Sequence, residues 1–443
     1  MKSNGLQTEN YLKISSDSDC KTLFWNKGSK KFKIDNNIEQ SPLELRKKIE
    51  PWLTALFQSE RLNLLIGSGL TIAQEHLVDK THTDFMETLD FNVFPDQIKK
   101  TSEELAKRNG RELPNIEDQL NVANTLLAGL EIYAKEDGDK TDLEDNIKKL
   151  KTGISKSLKD FITKILSLES KILSKRESVA RYLIPFLMSF ASRTLSRERL
   201  HIFTTNYDRV IEWGADLTGL RLIDRFVGNI EPIFRASRLN IDMHYNPPGI
   251  RGEPRYLEGV AYFTKLHGSL DWNYRNGKIQ RIALPFGGNE NTLPLEEQCL
   301  IYPHSAKEWQ TANYPYSELF RDFATAVCRP NTTLVTYGYG FGDEHINRII
   351  EDMLTIPSTH LVIISYDITP KMHSHFCENQ SSKKEQISVL VGPELADIKS
   401  LVRHYLPKSA IDHSMKRMFE IKKQRDEKPE LSIKDEGSDK DPK

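Results

Sequence analysis

Apolar and polar positions follow two alternating rhythms along the chain, and the change from one to the other sets out its elements. Short apolar runs that stop at glycine or small polar residues read as buried strands. They are Leu62–Ile66 before Gly67-Ser68-Gly69, His201–Phe203 before Thr204-Thr205-Asn206, Val260–Leu266 before His267, Leu334–Tyr337 before Gly338, and His360–Tyr366. A last strand is expected over Ile387–Val391. After several of these runs the rhythm becomes helical. Arg209-Val-Ile-Glu-Trp213 follows the second, and Ile346, Ile349, Ile350, Met353 and Leu354 share one face after the fourth. Helical character resumes near Thr71 after the first, and Glu394–Tyr405 follows the last. Strands alternating with helices predict an α/β fold, a doubly wound, Rossmann-like parallel sheet.

Other stretches depart from this alternation. Ser41-Pro42-Leu-Glu44 has the form of a capping box with proline at the first helical position, and its helix is expected to run to about Ser59. Upstream, Thr22–Trp25 and Lys31–Ile34 read as a short hairpin. Residues 100–200 are rich in Lys, Glu, Leu and Ser, with Ile154, Leu158, Phe161, Ile162 and Ile165 on one helical face, and predict a helical insertion beside the sheet. Pro185 within Arg181–Leu195 is expected to kink a helix or separate two. Residues 220–260, rich in Arg, Gly and Pro, read as loops. Residues 423–443 are charged without an apolar pattern, and disorder is expected there. The organisation is therefore an N-terminal extension over 1–59, one sheet domain with its insertion over 60–405, and a C-terminal helix and tail over 406–443.

Composition changes this picture little. With 38% hydrophobic and 28% charged residues in 443, the chain can bury a sizeable core, and a formal net charge of −1 gives no bulk field toward nucleic acid or an anionic membrane. No apolar run reaches the roughly 18 residues of a membrane span, and Met1–Asn10 lacks the apolar core of a signal peptide, so a cytoplasmic setting is expected. Cys20, Cys299, Cys328 and Cys377 are dispersed without a C-x-x-C pair, which argues against a compact zinc site. No metal ligand set is expected.

Candidate chemistry gathers where the strands stop. In an open parallel sheet, ligands sit beyond the carboxyl ends of the strands. Gly67-Ser68-Gly69 before a helix is the first half of a nucleotide-binding turn, although the full G-x-G-x-x-G would need glycine where Ile72 stands. Thr204–Asp208 is a burst of hydrogen-bonding side chains; Asn and Asp there serve equally well as helix caps. His267 stands beside Gly268, and imidazole suits a general base near neutral pH. Gly338, Gly340 and Gly342 alternate before Asp343 and a helix, a second phosphate- or ribose-binding turn.

Taken in order, Gly67-Ser-Gly69, Thr205-Asn-Tyr-Asp208, Leu266-His-Gly-Ser269 and Gly338-Tyr-Gly-Phe-Gly-Asp343 resemble the sirtuin-like (Sir2-type) family, in particular its bacterial branch in antiphage defence systems. The resemblance spans about residues 60–405. It implies a sheet that binds NAD as substrate, with Gly67, Ser68, Gly69 and Thr71 at the diphosphate and ribose. Thr205, Asn206 and Asp208 would surround the nicotinamide ribose, and His267 would be the catalytic base, with Ser269 and Asp343 also at the cofactor. Gly338, Gly340 and Phe341 would close over the cofactor; Ser365 and Asp367 match the adenosine end more loosely. The chain departs from protein-deacylating sirtuins in two ways. It has no pair of cysteine pairs for a zinc module, and no evident proline- and arginine-containing loop at Ala73–Thr83. Both departures disfavour acyl-lysine as substrate.

The expectation is an NAD glycohydrolase with Asn206 and His267 as catalytic residues and no structural zinc. By resemblance it acts in antiphage defence through NAD depletion, as a homo-oligomer or beside a HerA-type ATPase or an Argonaute-like protein. Two alternatives stand beside it: a regulatory subunit that binds NAD or ADP-ribose as a signal, and a nucleic-acid-processing subunit of an ATPase complex.

Overall fold

The structure is a computed structural model. It leaves residues 1–10, 14–31, 35–37, 41, 80–86, 89, 109–112, 136–140, 194–196, 238–240, 246–254, 289–297, 301–314, 373–383 and 409–443 undescribed. Near the N-terminus come β1 (Tyr11–Lys13), β2 (Phe32–Ile34) and β3 (Ile38–Gln40), then α1 (Pro42–Phe57). Phe32–Ile34 pairs with Ile38–Gln40; the other half of the expected hairpin, Thr22–Trp25, lies outside the described residues.

The parallel sheet begins with β4 (Arg61–Ile66), followed by α2 (Gly69–Val78). Four helices then intervene before the next strand: α3 (Pro95–Arg108), α4 (Ile116–Tyr133), α5 (Thr141–Ser174) and α6 (Arg176–Ala191). This is the helical insertion. Its α5 has 34 residues, so it is about 50 Å long. Pro185 sits inside α6, and the break between helices falls at Lys175 instead. Phe186, Leu187 and Phe190 are buried around that proline, and their packing offsets its missing hydrogen bond.

The chain returns through β5 (His201–Thr204) and α7 (Val210–Thr218) to β6 (Arg221–Ile223). Short strands follow: β7 (Phe226–Val227), β8 (Ile233–Phe234), β9 (His244–Tyr245) and β10 (Arg255–Tyr256). Next come β11 (Val260–Lys265), β12 (Gly268–Arg275), β13 (Lys278–Arg281) and β14 (Gln298–Leu300). After the helix Tyr316–Val327 come β15 (Thr332–Tyr337), the helix Glu344–Met353, β16 (His360–Ser365) and β17 (Ile387–Val391). The expected helix over 394–405 is broken into Pro393–Ala396, Ile398–Ser400 and a π-turn over Leu401–Tyr405.

The main sheet runs β1-β17-β16-β15-β4-β5-β11-β6, parallel throughout except for β1, which pairs antiparallel with β17. From β4 the chain moves one way to β5 and later returns on the other side to β15, so β4 and β15 flank the point where the winding reverses. Burial explains the continuous apolar strands. Leu62, Leu64 and Ile66 of β4 point into one core with Val335 and Tyr337, while Leu65 points into the other with Leu334, Leu361 and Ile363. A strand covered on both faces has no polar side to show. The loop-rich stretch after β6 instead builds a second sheet, β14-β12-β13-β8-β7, antiparallel. The insertion packs a third apolar cluster, which reaches Leu270 of β12 and Tyr207 beyond β5. Among the described residues, no helix is long and apolar enough to cross a membrane.

Candidate functional site

Strand register builds the site. Ile66 lies opposite both Thr204 and Tyr337, Thr204 lies opposite Lys265, and Tyr337 lies opposite Ile364. The next residue on each strand therefore falls in one row along the carboxyl edge: Gly67, Thr205, Leu266, Gly338 and Ser365. Four motifs separated by more than 60 residues each are brought together because their strands end level.

At the centre of this edge the glycines of β4 and β15 touch. Gly69 donates its N–H to the Gly338 oxygen at 3.0 Å, and Gly67 donates to the Tyr337 oxygen at 3.0 Å. A Cβ on Gly67 would lie 2.5 Å from the Gly338 oxygen, and one on Gly338 would lie 2.5 Å from the Gly69 Cα. Gly338 also holds φ at +59°, the left-handed region in which a side chain is strained. Gly69 and Leu70 give their N–H groups to Gly338 and Gly67, so the start of α2 is less free to hold a diphosphate than the glycine pattern implied. Ser68 stays exposed, at the helix start, with no capping bond.

Asn206 sits in the next shell of contacts. Its amide nitrogen donates to the Gly67 oxygen and to Thr71 Oγ1, both at 3.0 Å. Thr71 Oγ1 in turn donates to Asp208 Oδ2 at 2.7 Å, and Asp208 Oδ1 accepts from the Val210 N–H at 3.0 Å. Thr204 Oγ1 donates to the Ile66 oxygen and accepts from the Asn206 N–H. Thr71 and Asp208 thus hydrogen-bond within the protein, and Thr71 helps to position Asn206. With both amide hydrogens committed, Asn206 has its carbonyl oxygen left for a ligand.

The loop that carries Asn206 is clamped from beneath by buried charge. Lys265 Nζ donates to the Asp208 oxygen and, at 2.9 Å, to Glu212 Oε1. Burial pushes the Glu212 carboxyl above its ordinary range, and the Lys265 ammonium opposes that shift. Arg209 forks onto both oxygens of Glu169, on α5, and onto the Leu284 and Pro285 carbonyls. Sequence reading passed over Lys265, Arg209 and Glu169. The available signal was a lysine inside the apolar run Val260–Leu266, where a charge demands a partner.

His267 stands at the corner where β11 of the parallel sheet turns into β12 of the antiparallel one. It is buried, with its ring 6.3 Å from Tyr207, 6.4 Å from Phe320 and 5.9 Å from His345. Its Nε2 lies 3.9 Å from Asp343 Oδ2. Asp343 is the N-cap of the helix Glu344–Met353 but makes no side-chain capping bond there. Ser269 is fully buried, and its hydroxyl has no hydrogen-bond partner among the described residues. An orphaned buried hydroxyl two residues after the histidine is the kind of group a ligand satisfies.

Three further expected contacts have their own surroundings. Phe341 is fully buried in the second core against Tyr339, so it does not close over the crevice. Gly340 is exposed and gives its carbonyl to Thr369, and a Cβ there would meet only Thr369 Cγ2 at 3.8 Å. Ser365 ends its strand in the common row, but its hydroxyl donates to the Asp367 oxygen at 2.8 Å. Cys328 is a free thiol, and Cys20 and Cys377 lie outside the described residues.

Residues 200–387 match the family model of the SIR2-like domain. The match takes in Asn206, His267, Gly338 and Asp343; the Gly67 turn precedes it and joins through the sheet. None of the curated proteins compared matches the chain.

Proposed function

From a chain that carries a SIR2-like domain, we propose an NAD glycohydrolase that cleaves NAD to nicotinamide and ADP-ribose. The observation that carries the reading is the Asn206 amide, locked by the Gly67 oxygen and Thr71 so that its own oxygen is left for a ligand on the edge that also bears His267. Breaking the nicotinamide–ribose bond builds positive charge on the sugar. An amide oxygen fixed in direction stabilises such charge or holds a water or ribose hydroxyl, at no reorganisation cost during reaction. His267 takes the proton as water adds, a contribution of about 10²–10⁴-fold when the base is well placed. Ser269 offers a buried hydroxyl to the same ligand. The cysteine pattern, which provides no pair of close cysteine pairs, favours water over acyl-lysine as acceptor.

Unrestrained hydrolysis would exhaust the cell that makes the protein. The proposal therefore includes control by a partner or by self-assembly, with antiphage defence beside a HerA-type ATPase or an Argonaute-like protein as its setting. The acceptor is tested by incubating the pure protein with NAD alone and with NAD plus an acetyl-lysine peptide, and quantifying nicotinamide. Equal release in both supports hydrolysis; release that needs the peptide makes the enzyme a deacylase.

A further inference from the structure

His267, Asp343 and His345 come from opposite ends of the β11–β15 region, yet their ligand-type atoms all lie within 4.8 Å of one another. Among the described residues this is the group of side chains suited to hold a metal ion. We propose that these three residues bind a divalent transition-metal ion of zinc-like preference, and that the bound ion withdraws His267 from proton transfer. The second half rests on the NAD-hydrolysis reading; the first does not.

The donor set decides the class of ion. Two imidazoles and one carboxylate are what zinc and its neighbours take, whereas magnesium and calcium prefer an all-oxygen shell. Three protein ligands leave a fourth position for water, as in open zinc sites. Zinc bonds of about 2.0–2.1 Å place ligand atoms roughly 3.3 Å apart. The 3.9 Å between His267 Nε2 and Asp343 Oδ2 thus needs a closure of roughly half an ångström, and a pair at the 4.8 Å limit roughly one and a half, at these bond lengths. Asp343 and His345 are half-buried and can supply it by side-chain rotation, while buried His267 stays still.

The local field is mixed. The amino end of the helix Glu344–Met353 repels a cation. Asp343, standing at that end without a capping bond, brings a full negative charge that outweighs it. Phe320 packs edge-on to His345 at 4.5 Å and makes one wall of the site. A metal held there takes up an imidazole nitrogen and the positive charge opposes protonation of the ring, so metal binding works against proton transfer by His267.

The test uses the full chain after chelator treatment, with Zn²⁺ in calorimetry and Co²⁺ as a visible-absorption probe. Wild type is expected to bind one zinc and to give a cobalt ligand-field band. His345→Ala and His345→Gln should each weaken zinc by at least the roughly 10–100-fold that losing an outer-shell partner costs. Both variants should keep the metal-free melting temperature and the metal-free nicotinamide release. Zinc should inhibit release by wild type and spare the variants. No stoichiometric zinc, or equal affinity in a folded His345 variant, overturns the site. Zinc bound without inhibition overturns its role. Zinc bound normally by a protein that never releases nicotinamide refutes the NAD reading and leaves the site standing.

Discussion

At the scale of single residues, the amide of Asn206 is worth more for its direction than for its two-sided hydrogen bonding. A free amide can donate and accept at once; the structure gives the donor half to Gly67 and Thr71. Asn206→Asp would set a carboxylate oxygen against the Gly67 carbonyl and beside the Thr71–Asp208 pair. It is expected to melt lower than Asn206→Ala, because it adds repulsion to the lost hydrogen bonds. An Asp variant as stable as wild type would contradict the assigned amide orientation. His201 makes a separate, pH-dependent prediction. Burial, with Arg225 nearby, lowers its pKa from 6.5 to about 3, and its ring stacks on Phe203. It stays neutral in the fold while the unfolded chain takes up a proton below the ordinary histidine pKa. Stability is therefore lost as pH falls below about 6.5, by about 2 kcal/mol between pH 7 and 5. Urea unfolding at both pH values should show a smaller loss in His201→Gln; an equal loss would remove His201 from the acid response.

Elements show why some motifs were readable and others were not. The two glycine turns stood out in the sequence, but which glycine mattered did not. Gly338 meets Gly69 backbone at 2.5 Å with positive φ, and Gly340 meets almost nothing. Gly338→Ala should therefore lower the melting temperature sharply, and Gly340→Ala hardly at all, so that any loss of NAD affinity in the second variant reports ligand approach. Equal melting of the two would contradict the glycine contact. A close approach between turns more than 260 residues apart leaves no local trace. The same holds for Glu169 and Arg209, a buried pair that ties α5 to the Asn206 loop. Glu169→Ala leaves the guanidinium buried without its carboxylate and should cost about 3–5 kcal/mol in denaturant unfolding. A loss below about 1 kcal/mol would mean that water replaces the carboxylate. One missed element was legible. Asn276-Gly277, both with positive φ, is the turn of the β12–β13 hairpin, and this dipeptide is a strong hairpin signal.

For the whole molecule, the parallel sheet was readable because each of its central strands is buried on both faces and so is written as an unbroken apolar run. The β7–β8 edge of the antiparallel sheet was not, because these strands have two residues each and no period can be read from two positions. The order of strands was also hidden, and it is the order that matters: winding outward from β4 and returning at β15 sets five strand ends level and gathers the motifs at one edge. Asn206 and His267 were visible as residues, and Lys265 as a charge inside an apolar run; Glu169 and His345 acquire meaning only through that gathering. The central claim is that this edge hydrolyses NAD through Asn206 and His267. Its most direct test is nicotinamide release per folded molecule by wild type, Asn206→Ala and His267→Ala, with melting curves taken on the same samples. The account predicts release by wild type, added with its activating partner if one is required, and none above background by either folded variant. A folded Asn206→Ala or His267→Ala protein that turns over NAD as wild type does would contradict it.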